Sequence, residues 1–142
     1  MSELNPHSSN PAPPLTFLQP KLLPLLEKLK AAYLAWSRIY PIFPKLYRHT
    51  LGARIDHLFV ECIEAIAAAS FLSREEKRPF VRLAIRKLDT LKVLCMVAWE
   101  NGSLDTKKYI ALSAPLSEIG KMLGGWQGQL QKQNSPAKAG EK

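Results

Sequence analysis

The sequence has few of the residues that stabilise small secreted domains or membrane proteins. Its 142 residues include only two cysteines, which excludes a fold held together by disulfide bonds. No apolar run approaches the roughly 18 residues of a membrane span, and the N-terminus lacks the basic and apolar regions of a secretory signal. We therefore expect a cytoplasmic protein that does not associate with membranes.

Acidic residues are scarce relative to basic ones. The chain has 20 Lys and Arg against 12 Asp and Glu, a formal net charge of +8, and its pI is near 9.7. Hydrophobic residues make up 46% of it, which is enough to bury a core and excludes a fully disordered chain. A basic globular protein favours an acidic partner, and nucleic acid is the commonest one.

Sequence patterns of catalytic and metal sites are also missing. There is no phosphate-binding loop, dinucleotide fingerprint or nucleophile elbow, and the Glu-x-x-His motifs of a di-iron bundle do not occur. His49 and His57 are eight residues apart, just over two helical turns, so they lie only loosely on one side of a helix. Cys62 and Cys95 fall in apolar patterns and are expected to be buried. We predict no enzymatic activity, no cofactor and no metal.

Proline and polar residues divide the chain into three parts. Residues 1–19 predict a disordered proline-rich tail, residues 20–130 a helical domain and residues 131–142 a flexible tail. Within the domain, apolar residues recur at alternating steps of three and four in four segments, and none alternates as a strand does. Four such helices with short connections predict an all-α, up-down-up-down four-helix bundle.

Prolines, glycines and capping residues indicate the helix boundaries. Pro79 either begins the third helix or follows a turn capped by Ser73 with Glu76. Gly120 and Gly124, four residues apart, indicate tight helix packing. The four periodic segments are 22–40, 51–69 with a start near Pro44, 81–98 with Asn101 and Gly102 as its stop signal, and 109–126 with Asp105 as N-cap.

Basic residues cluster at two places along the predicted helices. Arg78, Arg82 and Arg86 are four residues apart and form one stripe, which Arg74 extends if the preceding turn is helical. Such like charges repel, so a phosphate-binding surface is favoured over a solvated face without function. No base-reading motif is present, which predicts contacts to the phosphate backbone. The candidate nucleic-acid-binding residues are Lys45, Arg48, Arg54, Arg74, Lys77, Arg78, Arg82, Arg86 and Lys87.

The third helix also carries more apolar surface than one bundle can bury. Residues 93–99 are seven consecutive apolar residues. In an isolated four-helix bundle each helix exposes a polar face to water. The apolar residues 93–99 leave no such face, so another surface is expected to cover them. Self-association is the simplest cover, and the predicted interface comprises Leu94, Val97 and Trp99. The alternative is that tail residues 15–18 fold back over it.

Two short segments carry a resemblance to known proteins. Residues 43–52 (Phe-Pro-Lys-Leu-Tyr-Arg-His-Thr-Leu-Gly), followed by Ile55, resemble the start of the second helix in a family of small bacterial four-helix-bundle proteins. Residues 119–126 (Ile-Gly-Lys-Met-Leu-Gly-Gly-Trp) are similar to the fourth-helix signature of that family, and the similarity spans residues 33–130. The family includes the accessory proteins (Avd) of diversity-generating retroelements and proteins encoded within intervening sequences of 23S ribosomal RNA genes.

The resemblance implies a function that periodicity does not show. Avd proteins are homopentamers without catalytic residues that bind nucleic acid and the reverse transcriptase of the retroelement, and together these make mutagenic complementary DNA. The implied partners are therefore a reverse transcriptase, the template-repeat RNA and DNA. Only Lys45 and Arg48 lie in the matched segments, so no contact residue carries over. The basic charge favours Avd; the alternative is a structural or protein-interaction bundle of the intervening-sequence type without a nucleic-acid role.

Overall fold

The computed structural model describes residues 22–133, and this part of the chain is helical without any strand. A 3₁₀ turn (Tyr40–Ile42) follows the first helix, and a π-helical turn (Arg48–Gly52) precedes the third. The helices are α1 (Leu22–Ile39), α2 (Lys45–Tyr47), α3 (Ala53–Ser70), α4 (Arg74–Glu100) and α5 (Thr106–Gln133). The all-α class is confirmed, and each of the four long helices coincides with one periodic segment.

The domain boundaries differ slightly from the prediction at the C-terminal side. Helix α5 continues to Gln133, so residues 131–133, which the composition placed in a tail, are helical. The remaining tail residues lie outside the described part of the chain, and so does the segment 15–18 that was the alternative cover for residues 93–99.

The long helices pack around a single core. Helix α3 contacts α1 and α4, and α5 contacts the same two helices. The three-and-four spacing places one side of each helix in this core. On α4 the buried apolar residues are Val81, Ala84, Leu88, Leu91, Cys95 and Ala98, as the periodicity predicted.

Helix α4 begins at Arg74 because Ser73 and Glu76 cap it. The backbone N–H of Ser73 donates a hydrogen bond to Glu76 Oε1 at 3.2 Å, and the pair forms a capping box. Pro79 therefore lies inside the helix, in its second turn, and the alternative in which the helix starts at Pro79 is wrong. At the other end Gly102 adopts a φ of +84°, a left-handed conformation that ends the helix, as predicted.

Asp105 caps the start of α5, as predicted. Its Oδ1 accepts the backbone N–H of Lys108 at 2.8 Å, and its Oδ2 accepts a hydrogen bond from the Lys108 ammonium at 3.1 Å. These bonds to the charged form, the backbone bond first, hold the pKa of Asp105 below its usual value.

The corner between α1 and α3 is held by an arginine. The Arg48 guanidinium donates hydrogen bonds to the carbonyl of Phe43, at 3.2 Å from Nε and 2.9 Å from Nη2, and to the carbonyl of Pro41 at 3.0 Å. The Tyr40 hydroxyl in turn donates to the carbonyl of Arg48 at 3.3 Å. Side-chain hydrogen bonds therefore hold the corner together. They act at a point where prolines, which have no backbone N–H, leave few backbone donors.

The glycines of α5 do not all serve tight packing. A Cβ on Gly120 would lie 3.3 Å from Lys92 Nζ and 3.4 Å from Leu88 Cδ2, so Gly120 does allow α4 to approach closely. A Cβ on Gly124 would meet no atom within 4 Å. The prediction of tight packing is therefore corrected for Gly124, because the side of α5 on which it lies faces open space.

Gly52 and Gly124 should respond in opposite directions to alanine. A Cβ on Gly52 would lie 3.0 Å from Tyr40 Cε1 and 3.1 Å from Phe43 Cδ2, so both rings would have to move. We expect Gly52→Ala to lower the free energy of unfolding by about 1–2 kcal/mol, because overpacking outweighs the gain in helix propensity. Gly124→Ala should raise it by about 1 kcal/mol, since only the propensity changes. Urea denaturation measures both, and a stabilised Gly52→Ala variant would contradict the steric argument.

Candidate nucleic-acid interface

The N-terminal half of α4 presents a row of arginines, which we call the arginine stripe: Arg74, Arg78, Arg82 and Arg86. The helix is continuous through all four, so they follow one side of it over about 18 Å. Arg78 is half-buried and the other three are exposed. Within residues 22–133 none of the four forms an ion pair with a carboxylate. Their donors are therefore available to an external anion.

Lys77 does not belong to this stripe. It is 4% exposed and lies on the core side of α4, in register with Val81 and Ala84. A step of one residue turns an α-helix by about 100°, so Arg78 points away from the core while its neighbour does not. The prediction that Lys77 contributes to a phosphate-binding surface is therefore corrected.

Arg54 and Lys87 share one carboxylate across the contact between α3 and α4. Lys87 Nζ lies 3.1 Å from Glu61 Oε1, and Arg54 Nη1 lies 3.7 Å from the same oxygen. The pairing is partly exposed, so it adds little stability, but it neutralises part of the predicted basic surface. Arg54 and Lys87 lie beside the arginine stripe. Because both are paired with Glu61, they add less unpaired positive charge to that surface than the sequence suggests.

The two basic clusters of the sequence lie at opposite ends of α3. Lys45 is exposed at the start of α2, whereas Arg74 begins α4 beyond the far end of α3. Helix α3 has 18 residues and is therefore about 27 Å long. Arg48 has its donors committed to carbonyls of the corner. Lys45 and Arg48 therefore do not merge with the arginine stripe, whereas Arg54 reaches Lys87 beside the stripe through Glu61.

The C-terminal half of α4 is apolar on its outer side. Val93 is 51% exposed, and Met96 and Val97 are each 39% exposed. With Tyr109 of α5, Val93 and Met96 line a groove of about 430 Å³ between α4 and α5. Val97 belongs to the predicted interface. Val93 and Met96 lie in the same apolar segment, residues 93–99, but were not among the residues named for that interface.

The other two predicted interface residues are largely committed within the chain. Leu94 is half-buried against the core. The Trp99 ring stacks on Tyr109 with centroids 5.0 Å apart, and its Nε1 donates to Thr106 Oγ1 at 3.2 Å. Trp99 thus ties the end of α4 to the start of α5, and part of its ring stays exposed.

An acidic residue that no motif of the sequence singles out holds α1 against α3. Asp56 Oδ1 accepts hydrogen bonds from the Tyr33 hydroxyl at 3.0 Å and from Trp36 Nε1 at 3.1 Å. Burial, with the Asp56 bond and charge adding to it, raises the pKa of Tyr33. A buried tryptophan needs an acceptor for its Nε1–H, so the sequence indicates that such an acceptor exists. The sequence does not show that the acceptor is the carboxylate of Asp56.

The side chains most often used in catalysis are dispersed or inert. Cys62 and Cys95 are buried, as predicted, and burial raises the pKa of each thiol to about 12, so both stay neutral at physiological pH. Across residues 22–133, no three His, Cys, Asp or Glu side chains come together as a metal site. None of the helices described here has the length and apolar character needed to cross a bilayer.

Known proteins were compared with the chain by sequence and by structure. No protein-family model, curated protein or solved structure matches it.

Proposed function

We propose that this protein is a nucleic-acid-binding accessory subunit that partners a reverse transcriptase, as in a diversity-generating retroelement, and supports mutagenic synthesis of complementary DNA. The observation that carries the proposal is the arginine stripe, whose four side chains have no acidic partner in the described chain. Arginine presents a planar fork of donors that suits phosphate oxygens. The bound nucleic acid is RNA, the template-repeat transcript, and also DNA.

The stripe suits recognition of backbone and not of bases. Helix α4 is packed along its length in the bundle, so the arginines on its outer side are held in a fixed row. Such a row of charges can contact successive phosphates of a nucleic-acid backbone. The protein itself supplies no catalytic group, cofactor or metal in this proposal, because the polymerase performs the chemistry. It acts in the cytoplasm, where template and polymerase meet.

The working unit in this proposal is a homo-oligomer, a pentamer, of up-down-up-down bundles. The exposed apolar half of α4 supports association, since a surface of this kind on a helix favours burial against another chain. Repeating the arginine stripe in each copy strengthens the field and multiplies the phosphate contacts.

Salt dependence tests the binding proposal. Four arginines that each neutralise one phosphate of a duplex predict that the logarithm of the association constant falls against the logarithm of salt concentration with a slope of about −3.6 per engaged protomer. Fluorescence anisotropy with duplex DNA and structured RNA at several salt concentrations measures this slope. A matched duplex with uncharged methylphosphonate linkages is the control and should not bind.

Absence of binding at low salt would contradict the proposal. The same assay would then favour the alternative function, a structural or protein-interaction bundle whose basic face binds an acidic protein. A slope near zero with retained binding would show that the contacts are not to phosphates.

A further inference from the structure

The two sides of the arginine stripe differ in charge. Helix α3 packs on one side of α4, where Glu61 pairs with Lys87 and the exposed Glu64 follows one turn later. Helix α5 packs on the other side, and from residue 119 to its end at Gln133 it contains no acidic residue. A phosphate chain held by the stripe therefore meets carboxylates toward α3 and none toward α5.

Along α4 itself the middle of the stripe is free of acidic residues. Residues 77–88 contain none. Glu75 and Glu76 precede this stretch, and Asp89 follows it and lies 3.8 Å from Lys92 Nζ. The unopposed positive charge is therefore concentrated in the middle of the stripe and not at its first arginine.

Helix α5 runs antiparallel to α4, since only residues 101–105 join the two helices. Gly120 lies level with Leu88, because a Cβ on this glycine would lie 3.4 Å from Leu88 Cδ2. Each step forward on α5 corresponds to a step back on α4. Gly124 is therefore level with residue 84 and Gly128 with residue 80, beside the middle of the arginine stripe.

The two glycines and the stripe border the same face of the bundle. Ser117 of α5 and Asp89 of α4 line one groove between the helices. Positions seven residues apart lie on nearly the same side of an α-helix, with a drift of about 20°. Gly124 follows Ser117 by seven residues and Gly128 follows it by eleven, while Arg82 precedes Asp89 by seven. The face between α4 and α5 therefore has arginines on one helix and glycines on the other.

Packing within the described chain does not account for these glycines. Glycine destabilises the interior of a helix relative to alanine. A Cβ on Gly124 or Gly128 would meet no atom within 4 Å, whereas one on Gly120 would meet two. Without side chains at these positions, the surface of α5 beside the stripe allows another molecule to approach the helix backbone closely.

We infer that the nucleic-acid strand bound by the arginine stripe lies along the face between α4 and α5, with its phosphates against the arginines and its backbone over Gly124 and Gly128. The inference rests on the proposed function and gives the path of the strand on the protein. The occupant is a phosphodiester chain, because this part of the face offers cations and bare helix surface without an acidic side chain.

A charge placed on either of two adjacent glycines tests the path. Gly124→Glu puts a carboxylate beside the stripe and should lower the affinity for duplex DNA and structured RNA about tenfold or more in fluorescence anisotropy. Gly125→Glu is the matched control: a Cβ there also meets no atom within 4 Å, but Gly125 lines a groove with Leu25 of α1. This variant has the same net charge and should change the affinity by less than about twofold.

Two further pairs of variants separate charge from close approach. Gly124→Arg should make the salt slope for duplex DNA steeper by about 0.9, whereas Gly125→Arg should leave it unchanged. Gly124→Leu adds bulk without charge and should weaken binding, whereas Gly125→Leu should not. Each change replaces a helical glycine by a better helix former, so circular dichroism should show no loss of helicity, and light scattering should show one common mass.

The contrary outcomes distinguish this path from binding itself. If wild-type protein binds nucleic acid but changes at Gly124 and Gly125 have equal effects, or the larger effect is at Gly125, the inference is wrong while binding by the stripe stands. A wild-type protein that binds neither duplex DNA nor structured RNA would overturn the inference together with the proposed function.

Discussion

Changing Arg78, Arg82 and Arg86 together to glutamate should abolish the binding of RNA and DNA without unfolding the protein. The three substitutions remove the central charges of the arginine stripe and place carboxylates where phosphates would bind. We expect the affinity for duplex DNA at physiological salt to fall by roughly a hundredfold or more, with the salt slope reduced by about three per protomer. Fluorescence anisotropy measures both quantities.

The fold should survive this change. Within the described chain none of the three arginines is paired with an acid, and glutamate has a helix propensity close to that of arginine. The repulsion between successive side chains on α4 has the same size for either sign of charge. Circular dichroism and the melting temperature should therefore match the wild type.

A second triple variant separates the stripe from net charge. Lys30, Lys107 and Lys121 are exposed elsewhere on the surface, and changing them to glutamate lowers the net charge of +8 by the same amount. This variant should keep most of its affinity. Unchanged binding in the arginine variant would show that the stripe does not bind nucleic acid. Equal losses of affinity in the two variants would show that only the net charge of the protein matters.

Asp56→Ala should produce the largest loss of stability among single surface-accessible positions. The substitution removes both hydrogen bonds from Tyr33 and Trp36, and it leaves the Nε1 of a fully buried tryptophan without an acceptor. Hydrogen bonds to a charged group and the desolvation of an unpaired donor together predict a loss of about 2–4 kcal/mol in the free energy of unfolding. Urea denaturation followed by tryptophan fluorescence measures it.

Two further variants make the interpretation specific. Asp56→Asn removes the charge but retains an Oδ1 that can accept both hydrogen bonds, so its loss should be smaller. Glu64→Ala removes an exposed carboxylate from the same helix and should change stability by less than about 0.5 kcal/mol. If Asp56→Ala were as stable as Glu64→Ala, the two hydrogen bonds would not be what holds α1 to α3.

The helices were predictable because their determinants are local. The alternation of apolar residues at three and four positions decides which side of each helix is buried, and capping depends on neighbours in the chain. Helix α4 begins at the capping pair of Ser73 and Glu76 and ends before Gly102, and Asp105 caps the start of α5. Each of these signals acts through a hydrogen bond or a backbone conformation within a few residues of the helix end. The arginine stripe followed for the same reason, since its spacing is a property of one helix.

The state of each charged group was decided only by the tertiary structure. Lys77 and Arg78 are adjacent in sequence, yet the rotation of α4 relative to the core buries the first and presents the second. Glu61 is shared by two helices, and Asp56 meets aromatic residues 20 and 23 positions earlier in the chain. Sequence spacing places side chains on one helix, whereas their partners on other helices depend on packing angles and register, which no local pattern contains.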